Sequence, residues 1–424
     1  MTATDPHRRV EAVWRIESAR LIAALTHMVG DVGLAEDLAQ DALVTALEQW
    51  PASGVPDNPG AWLMTVAKRR AIDRLRRDER LQRKVAELGR DMTTESDDEL
   101  QHVLEEDLGD DLLRLVFIAC HPVLSTDARV ALTLRLLGGL TTEEIARAFL
   151  VPQATVAQRI VRAKRTLARK QVTFETPDET QRAARLPSVL EVVYLIFNEG
   201  YAATTGREWV RPPLCEEALR LGRVLAGLLP KESEVHGLVG LMELQASRLR
   251  ARIGPTGAPI RLQQQDRAGW DQLLIRRGLA ALERAEELAG GRLGVYGLQA
   301  AIAACHARAR AVADTDWERI AAYYVELATL TGSPVVELNR AVAVAMAGSP
   351  AAGLAIVDAL ANEPVLQGYH LLPAVRGDLL ARLGRGSEAA AAFTRAAELT
   401  RNERERTLLL RRAASSLEVP AEDL

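Results

Sequence analysis

Residues 153–170 (QATVAQRIVRAKRTLARK) hold Arg159, Arg162, Lys164, Arg165, Arg169 and Lys170 and no acid. Cations of this kind pair with phosphates, while Gln and Arg side chains can hydrogen-bond base edges in a major groove. The preceding residues, GLTTEEIARAFLVP, supply what such a helix needs to be positioned. TTEE resembles a capping box, with Thr141 or Thr142 as the cap of a first helix. Ile145, Ala146 and Phe149 give that helix its inner face, and Leu150, Val151 and Pro152 make a turn. Val156 and Ile160 then anchor a second helix that presents Gln153, Thr155, Gln158, Arg159 and Arg162 outward. Its N-terminal half suits base edges, and Lys164 and Arg165 suit phosphates. An ordinary helical hairpin with a basic surface is the alternative.

A second basic stretch lies at residues 61–84, where nine Lys and Arg face three acids. Met64, Ala67, Ala71 and Leu75 keep helical spacing and form its inner stripe. Arg69, Arg70, Arg76 and Arg77 lie broadly opposite, and Trp62 and Val66 fall on the same outer side. Guanidinium groups beside an exposed ring suit single-stranded nucleic acid, because cations meet phosphates while an unstacked base lies on the ring. Packing of Trp62 against a neighbouring helix is the other reading. Upstream, Leu34–Trp50 reads as an amphipathic helix with Ala39, Leu43, Ala46, Leu47 and Trp50 on one face and Asp37, Gln40, Asp41 and Glu48 on the opposite one. On its own that acidic face is a solvated surface. A turn-rich loop, PASGVPDNPG (residues 51–60), separates the two helices.

These pieces sit in a chain of 424 residues, long enough for roughly three domains. Hydrophobic residues make up 48% and aromatics only 4%, which favours helices packed through small side chains over β-sandwiches or barrels. The fold class expected is all-α. The net charge of −4 hides a local sorting, because residues 91–111 hold ten acids and no Lys or Arg between the two basic blocks. That acidic stretch reads as a flexible tether. Three widely spaced cysteines exclude a disulfide framework or zinc site of ordinary spacing, and buried reduced thiols are expected. No apolar run reaches the length of a membrane span and no secretory leader is evident, so a cytoplasmic protein is expected. Residues 187–424 carry no nucleophile elbow, phosphate loop or metal-ligand spacing that points to an enzyme, and no cofactor or metal is expected.

The second half changes texture. A polar stretch, Thr173 to Arg185, gives way to a long helical region starting at Pro187. Farther on, Gly377, Leu380, Gly384, Ala389, Phe393 and Ala396 match the helix–turn–helix spacing of a tetratricopeptide repeat. Ala341, Val344, Gly348, Gly353, Val357 and Leu360 repeat that spacing, and a fainter copy runs from Val295 to Leu327. A solenoid of helix pairs follows, because one pair cannot bury its apolar face alone.

Taken in order, GDVGLAEDLAQDALVTALEQW, NPGAWLMTVAKRRAIDRLRR and GLTTEEIARAFLVPQATVAQRIVRAKRTL resemble the conserved regions 2 and 4 of extracytoplasmic-function (ECF) sigma factors of the sigma-70 family. The resemblance implies domains at residues 10–85 (region 2), 86–111 (acidic linker) and 112–172 (region 4), followed by a helical extension at 187–290 and tetratricopeptide-like repeats at 291–424. It implies that Glu36, Asp37, Gln40 and Asp41 contact the β′ clamp helices of core RNA polymerase, whose β subunit is a further partner. Asp57 and Asn58, in a loop that holds a flipped base, would contact the −10 element with Trp62, Lys68, Arg69, Arg70, Arg74, Arg76 and Arg77. Gln153, Thr155, Gln158, Arg159, Arg162, Lys164 and Arg165 would read the −35 element, and the acidic stretch would thread towards the RNA exit channel. VVYLIFNEGYAATTG and LQQQDRAGWD resemble signatures of a subgroup with a long tetratricopeptide-like extension. There Tyr194, Asn198, Glu199, Tyr201, Asp266, Arg267 and Trp270 are either internal packing or regulatory contacts, to the sigma domains or to a small ligand. A DNA-binding activator with a tetratricopeptide sensor is the competing function, although it leaves residues 34–84 unexplained.

Overall fold

The structure, a computed structural model, describes residues 6–87, 108–175, 177–203, 208–254 and 257–418. Among these residues are 18 α-helices and no strand, so the fold is all-α as expected. The chain divides into two compact units, residues 1–193 and 194–424.

The first unit starts with three helices, α1 (Pro6–Val29), α2 (Val32–Ser53) and α3 (Pro59–Glu87). The three helices pack on one another, and Leu21, Ile22 and Leu25 of α1, Ala35, Ala39, Ala42 and Ala46 of α2 and Leu63, Ala67 and Ala71 of α3 are all buried. The alanines let the helices approach closely, and burial of the larger side chains supplies about 1.5–3 kcal/mol each. Asp31 caps α2 by accepting from Leu34 N at 2.7 Å. Helix α2 runs past the expected stop at Trp50 to Ser53, with Pro51 inside its last turn. Only the final turn loses a hydrogen bond there, and Gly54, at φ +82°, closes the helix by donating to the Trp50 carbonyl. The expected loop of residues 51–60 is therefore shorter at both ends.

Four helices follow: α4 (Leu108–Ala119), α5 (Thr126–Leu136), α6 (Thr142–Phe149) and α7 (Gln153–Arg169). Asp110 and Asp111, read from sequence as the end of the acidic tether, lie in the first turn of α4, where a carboxylate complements the helix dipole. Asp111 is buried and meets His27 of α1 at 2.9 Å and Arg114 at 2.8 Å. Helix α4 thus packs on α1. The remainder of the acidic stretch, residues 91–107, lies outside the described residues.

Helix α8 (Glu179–Tyr201) begins eight residues before Pro187, the expected start. Asp178 accepts from Gln181 N at 2.7 Å and nucleates that earlier turn. The second unit continues with α9 (Pro212–Leu228), α10 (Ser233–Ala246), α11 (Gln272–Ala289) and α12 (Val295–Arg308). Helix α10 is the centre of this group and packs on α9, α11 and α12. Its Gly237 makes room for α12, since a Cβ there would stand 2.6 Å from Gly297 N. Helices α13 (Trp317–Thr331), α14 (Pro334–Met346), α15 (Pro350–Ala359), α16 (Leu371–Arg382), α17 (Gly386–Leu399) and α18 (Glu403–Glu418) then stack each on its predecessor. The spacing read at residues 377–396 corresponds to α16 and α17, where Phe393 fills the space that a side chain at Gly377 would take, 2.7 Å from its would-be Cβ.

The corner between α17 and α18 is held by Asn402, which is 1% exposed. Its Nδ2 donates to the Ala203 and Glu208 carbonyls, both at 3.0 Å, and its Oδ1 accepts from Arg404 N and Glu405 N. Asn402→Ala is expected to destabilise the second unit by about 2–4 kcal/mol, since four backbone groups lose their bonds to a buried side chain. An unchanged denaturation midpoint would contradict this.

No described helix is long and apolar enough to cross a membrane. All three cysteines are buried and unpaired, and burial raises the Cys120 thiol to about 11 and that of Cys215 to about 12.

Candidate nucleic-acid interface

The hairpin of α6 and α7 forms as its local signals require. Thr141 is the cap: its Oγ1 accepts from Glu144 N at 3.1 Å while Glu144 Oε2 accepts from Thr141 N at 2.8 Å. Leu150 takes a left-handed conformation at φ +51°, and Val151 N bonds back to the Ala146 carbonyl, so three residues suffice for the turn. Val156, Ile160, Ala163 and Leu167 face inward on α7 and are buried.

The outer face of α7 divides into free and engaged side chains. Gln153, Gln158, Arg162 and Arg165 are exposed, and Thr155 is half-buried. Arg159 instead pairs with Asp127 of α5 at 2.7 Å. Ala154 and exposed Val161, which the sequence reading passed over, share the stripe of Gln158, Arg162 and Arg165. The spacing 154, 158, 161 and 165 was their available signal, and their small apolar side chains suit a thymine methyl group.

On α3, Arg69, Arg74, Arg76 and Arg77 are exposed, while Lys68 and Arg70 are half-buried. Arg77 Nε donates to its own helix at the Asp73 carbonyl. Arg70 reaches across to α2, donating to Thr45 Oγ1 at 2.8 Å and pairing with Asp41 at 3.2 Å. Trp62 packs against a neighbouring helix, the second of the two readings. One edge meets buried Trp50, with ring centroids 5.2 Å apart at 64°, while the rest of the side chain stays half-buried. Asn58 caps α3, accepting from Ala61 N at 3.0 Å, and Asp57 is exposed beside it.

The acids on α2 also divide. Asp37 and Asp41 are exposed, whereas Glu36 is 3% exposed. Gln40 Nε2 donates to Glu36 Oε1 at 2.6 Å, and Arg135 Nε of α5 reaches the same oxygen at 2.6 Å. Lys164 Nζ of α7 stands 2.5 Å from Glu36 Oε2. An acid expected to face the polymerase and a lysine expected to face DNA therefore hold each other.

The residues singled out after Val193 are mostly engaged within the second unit. Tyr194 packs edge-on to Tyr296 and donates to Gln299 Oε1 at 3.4 Å. Glu199 pairs with buried Arg211, Asn198 is exposed, and Asp266 caps its turn through Ala268 N. Tyr201 stacks on Phe197, lies under the Arg252 guanidinium at 3.5 Å and accepts from Arg248 Nη2 at 2.6 Å. Trp270 is buried with Arg248 and Arg267 over its ring. Arg248 and Arg252 were missed by the sequence reading because nothing distinguishes them from the many other arginines in the chain.

Arg267 closes the C-terminal end of α12, donating to the His306 and Ala309 carbonyls at 2.7 and 2.8 Å and to Thr315 Oγ1 at 3.0 Å. Burial, then the Arg248 and Arg267 charges, lower His306 from 6.5 to about 3. The unfolded chain takes a proton on this ring below pH 6.5 and the folded chain does not until about 3, so stability falls as pH drops through that window. His306→Gln is expected to flatten this part of the stability profile, and an unchanged slope would contradict it.

Comparisons with known proteins follow this division. The Sigma-70 region 2 model matches residues 15–81, and the Sigma-70, region 4 model matches residues 114–167. A family of unknown function (DUF6596) matches residues 185–286. The ECF RNA polymerase sigma factor SigK of Mycobacterium sp. (strain KMS) is 30% identical over 146 residues, 34% of this chain and 72% of that protein. The chain belongs to the ECF sigma-70 family. This sigma factor is also 27% identical over 293 residues to the probable ECF RNA polymerase sigma factor SigI of Mycobacterium tuberculosis (strain CDC 1551 / Oshkosh), covering 58% of the chain and 98% of that protein. An uncharacterised protein of Rhizobium meliloti (strain 1021) is 43% identical over 385 residues, 90% of this chain and 89% of the relative. Region 2 of this sigma factor thus falls on α1–α3, region 4 on α4–α7, and the third match on α8–α11. Promoter recognition for RNA polymerase is the family's function, and core polymerase and promoter DNA are its partners.

Proposed function

We propose that this sigma factor reads the −35 element with α7 and opens the −10 element with α3. The observation that carries the reading is the exposed stripe of Gln158, Arg162 and Arg165 on a helix that holds no acid, within the residues matched by region 4. Gln158 and Arg162 meet base edges in the major groove, and Arg165 meets phosphate. Arg69, Arg74, Arg76 and Arg77 hold the melted strand, and the free face of Trp62 stacks an unpaired base. Opening is driven by binding, at about 1–3 kcal/mol per stacked base. No bond chemistry is assigned to the chain; the polymerase performs it in the cytoplasm, where the chromosome is.

Asp37 and Asp41 face the polymerase clamp. The stacked helices α12–α18 form a tetratricopeptide-like extension that modulates activity, supported by the helix pairing and by the Gly377–Phe393 fit. Permanganate footprinting of a holoenzyme made from core polymerase and the full chain tests the central assignment. Reactive thymines near the start site, together with protection upstream, are expected. Protection without reactive thymines would remove the role given to α3.

A further inference from the structure

Three arginines of the second unit gather around two aromatic rings near the ends of α8, α10 and α12. Tyr201 closes α8, Arg248 follows α10, Arg252 ends the short turn Leu249–Arg252, and Arg267 and Trp270 lead into α11. The Arg252 guanidinium lies 3.5 Å and that of Arg248 5.8 Å from the centre of the Tyr201 ring. Trp270 takes Arg248 at 5.6 Å and Arg267 at 5.1 Å. Their hydrogen bonds go to neutral groups: Arg248 donates to Tyr201 Oη and Gln245 Oε1, Arg252 to Tyr201, and Arg267 to two carbonyls and Thr315 Oγ1. None of the three pairs with a carboxylate among the described residues. Glu199 and Asp266, close by in the chain, and Asp314, whose charge reaches Arg267, are engaged with Arg211, Ala268 N and Ala311 N.

Like charges gathered away from water repel, and rings and neutral oxygens spread that charge without cancelling it. Burial, with the Arg248 charge behind it, lowers both Arg252 and Arg267 from the ordinary guanidinium value. Arg252 and Trp270 are only 9% and 4% exposed, yet Arg252 Nε, Arg267 Nε and Trp270 Nε1 have no hydrogen-bond partner among the described residues. Buried donors without acceptors are costly, and packing alone gives no reason to keep three of them together. An anion supplies what all of them lack, negative charge for the guanidiniums and lone pairs for the N–H groups. We propose that this cluster binds a small oxyanion, the phosphate or carboxylate group of a soluble ligand, with Arg248 and Arg252 as its principal donors. Tyr201 and Arg248 are half-buried, so the cluster reaches the surface. A bound anion ties the end of α8 to the end of α10 and the start of α11. The site is independent of the promoter reading, since none of its residues lies in the stretches matched by the two sigma models.

The test titrates inorganic phosphate and citrate, each at low millimolar concentration, into the full chain in a calorimeter. Denaturation midpoints are followed in parallel against sodium chloride of equal ionic strength. One-to-one binding and a saturable rise in midpoint are expected with at least one of the two anions, because a ligand that binds only the folded chain stabilises it. The stronger of the two identifies the recognised group as phosphate or carboxylate. Arg248→Gln and Arg252→Gln are each expected to weaken that binding by about tenfold or more. Arg248→Lys keeps the charge and loses the planar fork, so a severalfold loss is expected. It also serves as the variant to measure should the glutamine variants fail to fold. No saturable binding of either anion to the unmodified chain would overturn the site and leave the three arginines as packing. Binding that persists unchanged in all three variants would overturn it as well, and would move the anion to the basic helices of the first unit.

Discussion

Arg162→Ala is expected to weaken holoenzyme binding at the −35 element by about 1–3 kcal/mol, or roughly five- to 150-fold, and to relax preference at the base it contacts. The magnitude follows from its position. Arg162 is exposed on the stripe that also carries Gln158 and Arg165, unlike Arg159, which is held by Asp127. Arg165→Ala, assigned to phosphate, should instead weaken all sequences alike and reduce the salt dependence by about one phosphate contact. Melting curves of both variants should stay near the parent, because neither side chain is buried. An Arg162→Ala footprint and salt slope identical to the parent's would show that α7 does not read DNA through this residue.

Replacing Asp37 and Asp41 together with alanine is expected to lower affinity for core polymerase by roughly tenfold or more. Both are exposed, so the loss falls on binding rather than folding. Asp41 has a second role, since it pairs with Arg70 at 3.2 Å; Arg70 keeps Thr45 Oγ1 in the variant. Asp37→Ala alone separates the two effects. Normal co-purification of the double variant with core polymerase would remove the acidic face from the interface.

What could be read from the sequence was whatever a few neighbouring residues decide. The capping box at Thr141 and Glu144, the turn at Leu150–Pro152 and the inward row of Val156 and Ile160 are local, and the structure shows them in place. Prolines misled at two boundaries. Pro51 lies in the last turn of α2 and Pro187 inside α8, where Asp178 caps an earlier start. Partners distant along the chain left no trace in spacing. Nothing near Glu36 marks it for Arg135 and Lys164, and Arg159 gives no sign of Asp127. The same is true of Arg267, whose acceptors at the end of α12 become neighbours only after folding. The residues expected to touch DNA and polymerase thus include several held by distant partners, such as Glu36, Lys164 and Arg159, and only tertiary contacts distinguish these.

Run-off transcription on fragmented genomic DNA, with purified core polymerase and the full chain as the sole initiation factor, tests the central claim most directly. Discrete transcripts from a small set of fragments, lost when the chain is omitted, are the predicted result. Transcripts that require another sigma factor, with this chain only raising their yield, would contradict it and make the protein an activator.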